Sequence, residues 1–307
     1  MQKKKKRNHF VPQSYLRAFA ADPERRKIWT FRKDGGDFEL RPIKKVAVSF
    51  YLYAPNGANG RDYSFEDKLA SLEKWFGEEF WLEVTTGFVD LGDLMVRKAI
   101  ALLAAVMYLR NPLALEMQRR VHRQLVNLYQ NYSGAREAIE IGGKVYDVDL
   151  SDWPQFQDAT EDDIKRMWLS QIGCATWLAE IMMKMRWAIL LADKPVFIAS
   201  DNPVSVTHPS LTFKGFKDPE AMVSFPLSPT RILHLDNRHS EPDNQYYSLK
   251  ASPGAINSLI WRNSLTSMFS HRHTALCCQE MCDEAERMGF YWQPGGWLPD
   301  SFQPSEL

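Results

Sequence analysis

Residues Ala99 to Leu109 are apolar on nearly every side of a helix, and Lys98 and Arg110 close the run at its two ends. A helix with no polar face is stable only where it is covered all round. The run is about half of the roughly 20 residues that a membrane-spanning helix needs. It therefore predicts the central helix of a globular core, beginning near Asp93. Pro112 ends or kinks that helix, because proline has no N–H to give and its ring crowds the preceding turn. The helical pattern then resumes through Met117, Val121, Leu125 and Leu128.

A chain of 307 residues can build such a core without disulfides or metals. Lys and Arg total 38 and Asp and Glu total 38, so a zero net charge lends no global support to nucleic-acid binding. Only four cysteines are present, and Cys277 and Cys278 are adjacent, which argues against a secreted disulfide framework. No apolar stretch follows the basic run Lys3 to Arg7, so a secretory signal is not expected. These features predict a cytoplasmic protein with free thiols and no membrane partner. No Ser/Gly-rich linker divides the chain. One compact domain is expected over residues 1–290, with a loosely ordered, proline-containing tail over 291–307.

Ile28 to Phe31 reads as a strand, Asp34 to Asp37 as a turn and Phe38 to Leu40 as the returning partner. Val46 to Tyr53 reads as a strand or buried loop, and Asn56 to Gly60 as a turn. Ser64 with Asp67, and Thr160 with Asp163, have capping-box spacing. The first opens a helix through Leu69, Leu72, Trp75, Phe76 and Phe80. The second opens one that runs to about Leu191. Pro195–Ala199, Val204–Thr207, Val223–Leu227 and Arg231–Leu235 are short strand-like runs. A last long helix is expected over Gly254–Ser270 and a closing strand over Thr274–Cys278. Long helices in the middle and strands at both ends give an α+β class. The expected architecture is a helix-rich single unit with a mainly antiparallel sheet from N-terminal and C-terminal strands.

The segment Asn8-His9-Phe10-Val11-Pro12-Gln13-Ser14-Tyr15-Leu16-Arg17-Ala18-Phe19 resembles the opening motif of the domain-of-unknown-function family 4238. Leu109-Arg110-Asn111-Pro112 is similar to its arginine-x-proline at a helix kink, with Asn111 where a Thr-like residue is expected. Phe197 to Pro203 is similar to its Ser-Asp-Asn-Pro signature, Phe225 to Pro229 to its apolar-proline block, and Asn257 fits near the start of the last helix. The resemblance spans about residues 8 to 275. It implies a place among proteins that act as single-gene defence systems in bacterial phage-derived islands, with a phage protein as a possible trigger.

Within these motifs His9 has the near-neutral pKa that general acid–base catalysis needs, with Gln13 and Tyr15 near it in sequence. Its other reading is a histidine that ties a loop to the core. Asp201 and Asn202 could orient a histidine or hold a divalent metal, or simply cap a turn. Arg110 could clamp a phosphate, or be the buried partner of Asp201 or Glu73. His9, Asp201 and Asn202 are the catalytic candidates, and Gln13, Tyr15, Arg110 and Asn257 the substrate-binding ones. His271, His273, Cys277, Cys278 and Cys282 have zinc-ligand types without paired Cys-x-x-Cys spacing, so zinc is not expected. Glu66-Asp67-Lys68 is better read as helix-start chemistry than as a nuclease core. Ser200 lacks a nucleophile elbow, and no Walker or dinucleotide loop is present. A nuclease acting on phosphodiester bonds in phage defence is the leading expectation, with nucleic acid as partner. A non-catalytic sensor of a phage component or partner protein is the alternative, and a hydrolase or transferase acting on a nucleotide or other small molecule is a third class.

Overall fold

A computed structural model describes residues 7–76, 79–131, 138–141, 144–147, 153–210 and 214–289. The expected tail over 291–307 and most of the basic run at residues 3–7 lie outside them, as does the Gly142-Gly143 connection.

The chain opens with short elements: strand β1 (Arg7–His9), helix α1 (Gln13–Leu16), strands β2 (Lys27–Arg32), β3 (Glu39–Pro42) and β4 (Val48–Phe50), and the small hairpin of β5 (Asn56–Gly57) and β6 (Gly60–Arg61). The predicted β2–β3 hairpin is present, and Gly35 and Gly36 supply its positive φ values of 88° and 112°.

Four helices follow: α2 (Ser64–Phe76), α3 (Glu79–Thr86), α4 (Leu94–Leu109) and α5 (Pro112–Asn131). The cap of α2 differs from the expected capping box, because Asp62 accepts from the Ser64 N–H at 2.9 Å. The central helix α4 is capped by Asp93, whose carboxylate accepts from the N–H groups of Met95 and Val96. Ile100, Ala101 and Leu103 to Met107 are all buried, as an all-round apolar helix requires. The chain bends by 55° between α4 and α5 at Arg110-Asn111. Among the described residues no single helix is long and apolar enough to cross a membrane.

Strands β7 (Ala138–Ile141) and β8 (Lys144–Asp147) form a hairpin, and α6 (Trp153–Gln157) leads to α7 (Glu161–Ile172). The Thr160–Asp163 capping box opens α7 as predicted. The helix expected to reach Leu191 instead breaks at Gly173, continues as α8 (Ala175–Lys184) and gives way to strand β9 (Arg186–Leu191). A short run apolar on both faces suits a buried strand as well as a helix, and here tertiary pairing decides for the strand.

The remainder comprises β10 (Ala199–Ser200), β11 (Ser205–Thr207), β12 (Met222–Ser228), β13 (Arg231–Asp236), β14 (Gln245–Ser248), α9 (Pro253–Asn263), β15 (Ser267–Ser270) and α10 (Thr274–Arg287). Two expectations are corrected. The helix predicted to run to Ser270 ends at Asn263, and its last residues form β15. The closing strand predicted at Thr274–Cys278 is the first turn of α10, capped by the His273 side chain. Cys277, Cys278, Met281 and Cys282 are all buried, the spacing of one helical face.

The α+β class holds. One sheet, in the order β10-β15-β2-β3, joins N-terminal and C-terminal strands and is antiparallel throughout. A second, β11-β12-β13-β9-β14, is antiparallel except where β14 runs parallel to β9. The larger core lies between α4, α8, the second sheet and the N-terminal motif. A smaller one, around Phe31, Trp261, Cys277 and Met281, seats α9 and α10 on the first sheet.

Candidate functional site

The N-terminal motif is built first as a packing element. β1 pairs with β4, setting His9 opposite Val48, and the Asn8 side chain accepts from the Leu52 N–H at 2.9 Å. Pro12 then starts α1, and Val11, Tyr15, Leu16 and Phe19 are buried in the large core. The Tyr15 ring stacks on Phe225 and its hydroxyl donates to the Pro226 carbonyl at 2.8 Å. Burial pushes that phenol well above its usual range, which makes it an anchor to β12 and leaves it no role as an acid or base near neutrality.

The motif leaves His9 and Gln13 half-buried at a cleft of about 90 Å³, which Arg7, Glu66, Glu73 and Arg110 also line. Arg110, the residue that ends α4, forms its floor and is only 2% exposed. Its guanidinium donates to the His9 carbonyl at 2.6 Å, to the Glu73 carboxylate at 2.7 Å and to the Tyr53 hydroxyl at 3.2 Å. The Tyr53 hydroxyl in turn donates to the Arg110 carbonyl at 2.9 Å. Of the two partners sequence reading offered for Arg110, Glu73 is the one it has. The guanidinium that could have clamped a substrate holds the His9 backbone in place.

The His9 ring lines the cleft. Burial lowers its pKa below 6.5, while Glu73 and the Lys44 carbonyl act in the opposite direction. Its Nε2 is buried and makes no hydrogen bond.

The second signature lies elsewhere. Asp201 is 2% exposed, and its carboxylate accepts from the N–H groups of Leu265, Thr266 and Ser267 at 2.7–2.9 Å and from the Thr266 hydroxyl at 2.9 Å. Burial pushes its carboxyl above the usual aspartate range and these donors oppose the shift. Asn202 donates to the Asn263 carbonyl at 2.9 Å. Asn257 accepts from the Ile198 N–H at 3.2 Å and donates to the Val196 carbonyl at 3.0 Å, as a strand neighbour would. None of the three lines the cleft with His9.

A residue that sequence reading treated only as a departure from the motif joins the two signatures. The Asn111 side chain donates to the Asp201 carbonyl at 2.7 Å and accepts from the Leu113 N–H at 3.0 Å. Arg110 and Asn111 thus grip the two motifs from adjacent positions at the α4–α5 bend. Asn followed by Pro is the usual signature of a helix start, so the cap was visible in the sequence although its long-range bond was not.

This same set of motifs, in this order, decides the family. Residues 7–274 match the family described as "Protein of unknown function (DUF4238)". The chain belongs to that family. No curated protein and no solved structure matches it. The family motifs are thus located: one supplies a histidine at a cleft, and the others mostly bond to backbone. Among the described residues, no three His, Cys, Asp or Glu side chains are grouped to hold a metal ion. All four cysteines are free thiols, Cys174 exposed and the other three buried.

Proposed function

We propose that this protein is a hydrolytic effector of bacterial defence against phage, cleaving phosphodiester bonds with His9 as its acid–base group. The observation that carries this reading is the buried Nε2 of His9, which has no hydrogen-bond partner, in a ring that lines the cleft. A buried nitrogen without a partner costs roughly 1–3 kcal/mol, a cost that a ligand hydroxyl admitted beside the ring would remove. A ring held neutral near pH 7 takes a proton from that hydroxyl as it attacks phosphorus, and protonated it can return one to the leaving oxygen. Arg7 at the rim and Gln13 beside the ring supply donors for phosphate oxygens, while Arg110 neutralises Glu73 so that its charge does not repel them. The phage-defence context comes from the family resemblance.

The test is the purified chain on labelled DNA and RNA, with divalent cations and with chelator, beside His9→Ala. Cleavage that falls about a hundred- to ten-thousand-fold in a variant of unchanged melting temperature supports the reading. A sensor reading has its own support, since Tyr15, Asp201, Asn202 and Asn257 all bond to backbone atoms and so build the fold. Phage protection that survives His9→Ala would favour the sensor.

A further inference from the structure

Between β11 and β12 a group of side chains comes together that the His9 cleft does not use. His208, the first residue after β11, is buried, and both of its ring nitrogens are engaged. The Ser210 hydroxyl lies 2.6 Å from Nδ1, and the Ser210 backbone N–H donates to the same nitrogen at 3.0 Å. A backbone N–H can only donate, so Nδ1 carries the lone pair and the neutral ring holds its proton on Nε2. That proton faces the Asp218 carboxylate at 3.2 Å, and Glu220 lies 3.6 Å from the same nitrogen. The Asp218 oxygen is itself fixed by the Glu220 N–H, which donates to it at 2.9 Å. Asn237 steadies this leg of the chain by donating to the Phe216 and Asp218 carbonyls, each at 2.7 Å. Ser210 is exposed.

We propose that Ser210 is a second reactive centre, a serine nucleophile that hydrolyses small neutral carboxylic esters, with His208 as its general base and Asp218 as the positioning carboxylate. Hydroxyl, imidazole and carboxylate in that order, at 2.6 and 3.2 Å, are the arrangement that activates a serine on any fold. As Oγ attacks the ester carbonyl carbon, its proton passes to Nδ1, and Asp218 then faces an imidazolium that it stabilises. Collapse breaks the ester C–O bond, and Nδ1 gives the proton to the departing alkoxide. Water completes the cycle: its oxygen joins the carbonyl carbon, its proton goes to Nδ1, and Oγ leaves with that proton as the acid is released. One ester and one water give one acid and one alcohol. Two carboxylates beside the ring repel anions, which favours a neutral ester over a phosphodiester. The inference stands on these residues alone and does not depend on the chemistry assigned to His9.

The test is to treat the full chain with a fluorophosphonate, from which an activated serine displaces fluoride, and to locate the adduct by mass spectrometry. One adduct on Ser210 is expected, together with hydrolysis of p-nitrophenyl acetate that stops as the adduct forms. Ser210→Ala, at an exposed position, should abolish both at unchanged melting temperature. His208→Gln should slow labelling by at least about a hundred-fold, the usual loss on removing a proton-transfer group. Because His208 is buried, that variant can also loosen the chain around it, and Asp218 gives the independent reading. Asp218→Asn should slow labelling and Asp218→Glu should restore part of the rate, a rescue that a purely structural tie would not give. A chain that takes no adduct, takes it on another residue, or labels Ser210 as fast in His208→Gln as in the unaltered protein overturns the proposal. The three side chains would then only close the turn between β11 and β12.

Discussion

Arg110 donates to the Glu73 carboxylate at 2.7 Å and to the His9 carbonyl at 2.6 Å while only 2% exposed, so its charge is already committed within the protein. Removing it leaves a carboxylate and two other acceptors without their donor, and Arg110→Ala should cost about 3–5 kcal/mol in urea unfolding. Lysine keeps the charge without the fork, so Arg110→Lys should recover only part of that loss. Equal stability of all three proteins would show that the pair is not holding the cleft. Asp201→Ala should likewise cost about 3 kcal/mol, because three backbone N–H groups lose their acceptor at once. His9 responds to pH in the opposite sense to a salt-bridged histidine. Its folded pKa lies below 6.5, so its contribution to stability is full above 6.5 and is lost as pH falls toward the folded value. His9→Gln should therefore flatten the acid side of the stability profile. His9, Arg110, Asp201 and Asn202 read from sequence as one set, and of these the fold brings only His9 and Arg110 to the cleft. Glu73 was named only as one of two partners for Arg110, and Tyr53 was not singled out, since only the fold sets α2 and the loop after β4 across from Arg110.

Helices α9 and α10 come close together at Gly254. A Cβ there would stand 2.3 Å from the Glu280 carbonyl oxygen and 2.7 Å from the Glu284 Cβ, so the helices must part to admit it. Gly254→Ala should cost about 1–3 kcal/mol by denaturant titration, despite alanine's better helix propensity. A neutral or stabilising result would mean that the two helices separate freely. Below that contact, burial raises the thiols of Cys277 and Cys278 and pushes Cys282 up to about 11. A disulfide-exchange reagent should titrate one thiol per folded chain, the exposed Cys174, and the remaining three only after denaturation. Elements with strong local signals were legible: the Asp93-capped α4, the capping box of α7, the β2–β3 hairpin, and β12 with β13. Where local pattern was shared by two structures it misled. The helical stripe expected to run past Met185 to about Leu191 gives way at Arg186 to a strand paired between β13 and β14, and Cys277-Cys278 reads as strand until Met281 and Cys282 extend the face.

The whole molecule is tied together by contacts distant in sequence. β2 near the start pairs with β15 near the end, Tyr15 reaches β12, and Asn111 reaches the turn after β10. An α+β unit with such long-range pairing follows from the sequence in outline, since strands at both ends flank the apolar helices. Its sheet order does not, because strand partners are chosen by the assembled core. The same assembly sets His9 over Arg110 and Glu73 and leaves its buried Nε2 without a hydrogen-bond partner. The most direct measurement is the pH dependence of kcat/KM for phosphodiester cleavage, set beside the titration of the His9 ring followed by NMR. General-base catalysis by His9 predicts an acid limb below pH 6.5 that coincides with the ring's own titration. Glu73→Gln should move both to lower pH together, because the carboxylate raises the ring's pKa. Cleavage whose acid limb ignores the His9 titration, or that persists at full rate in His9→Gln, would contradict the account.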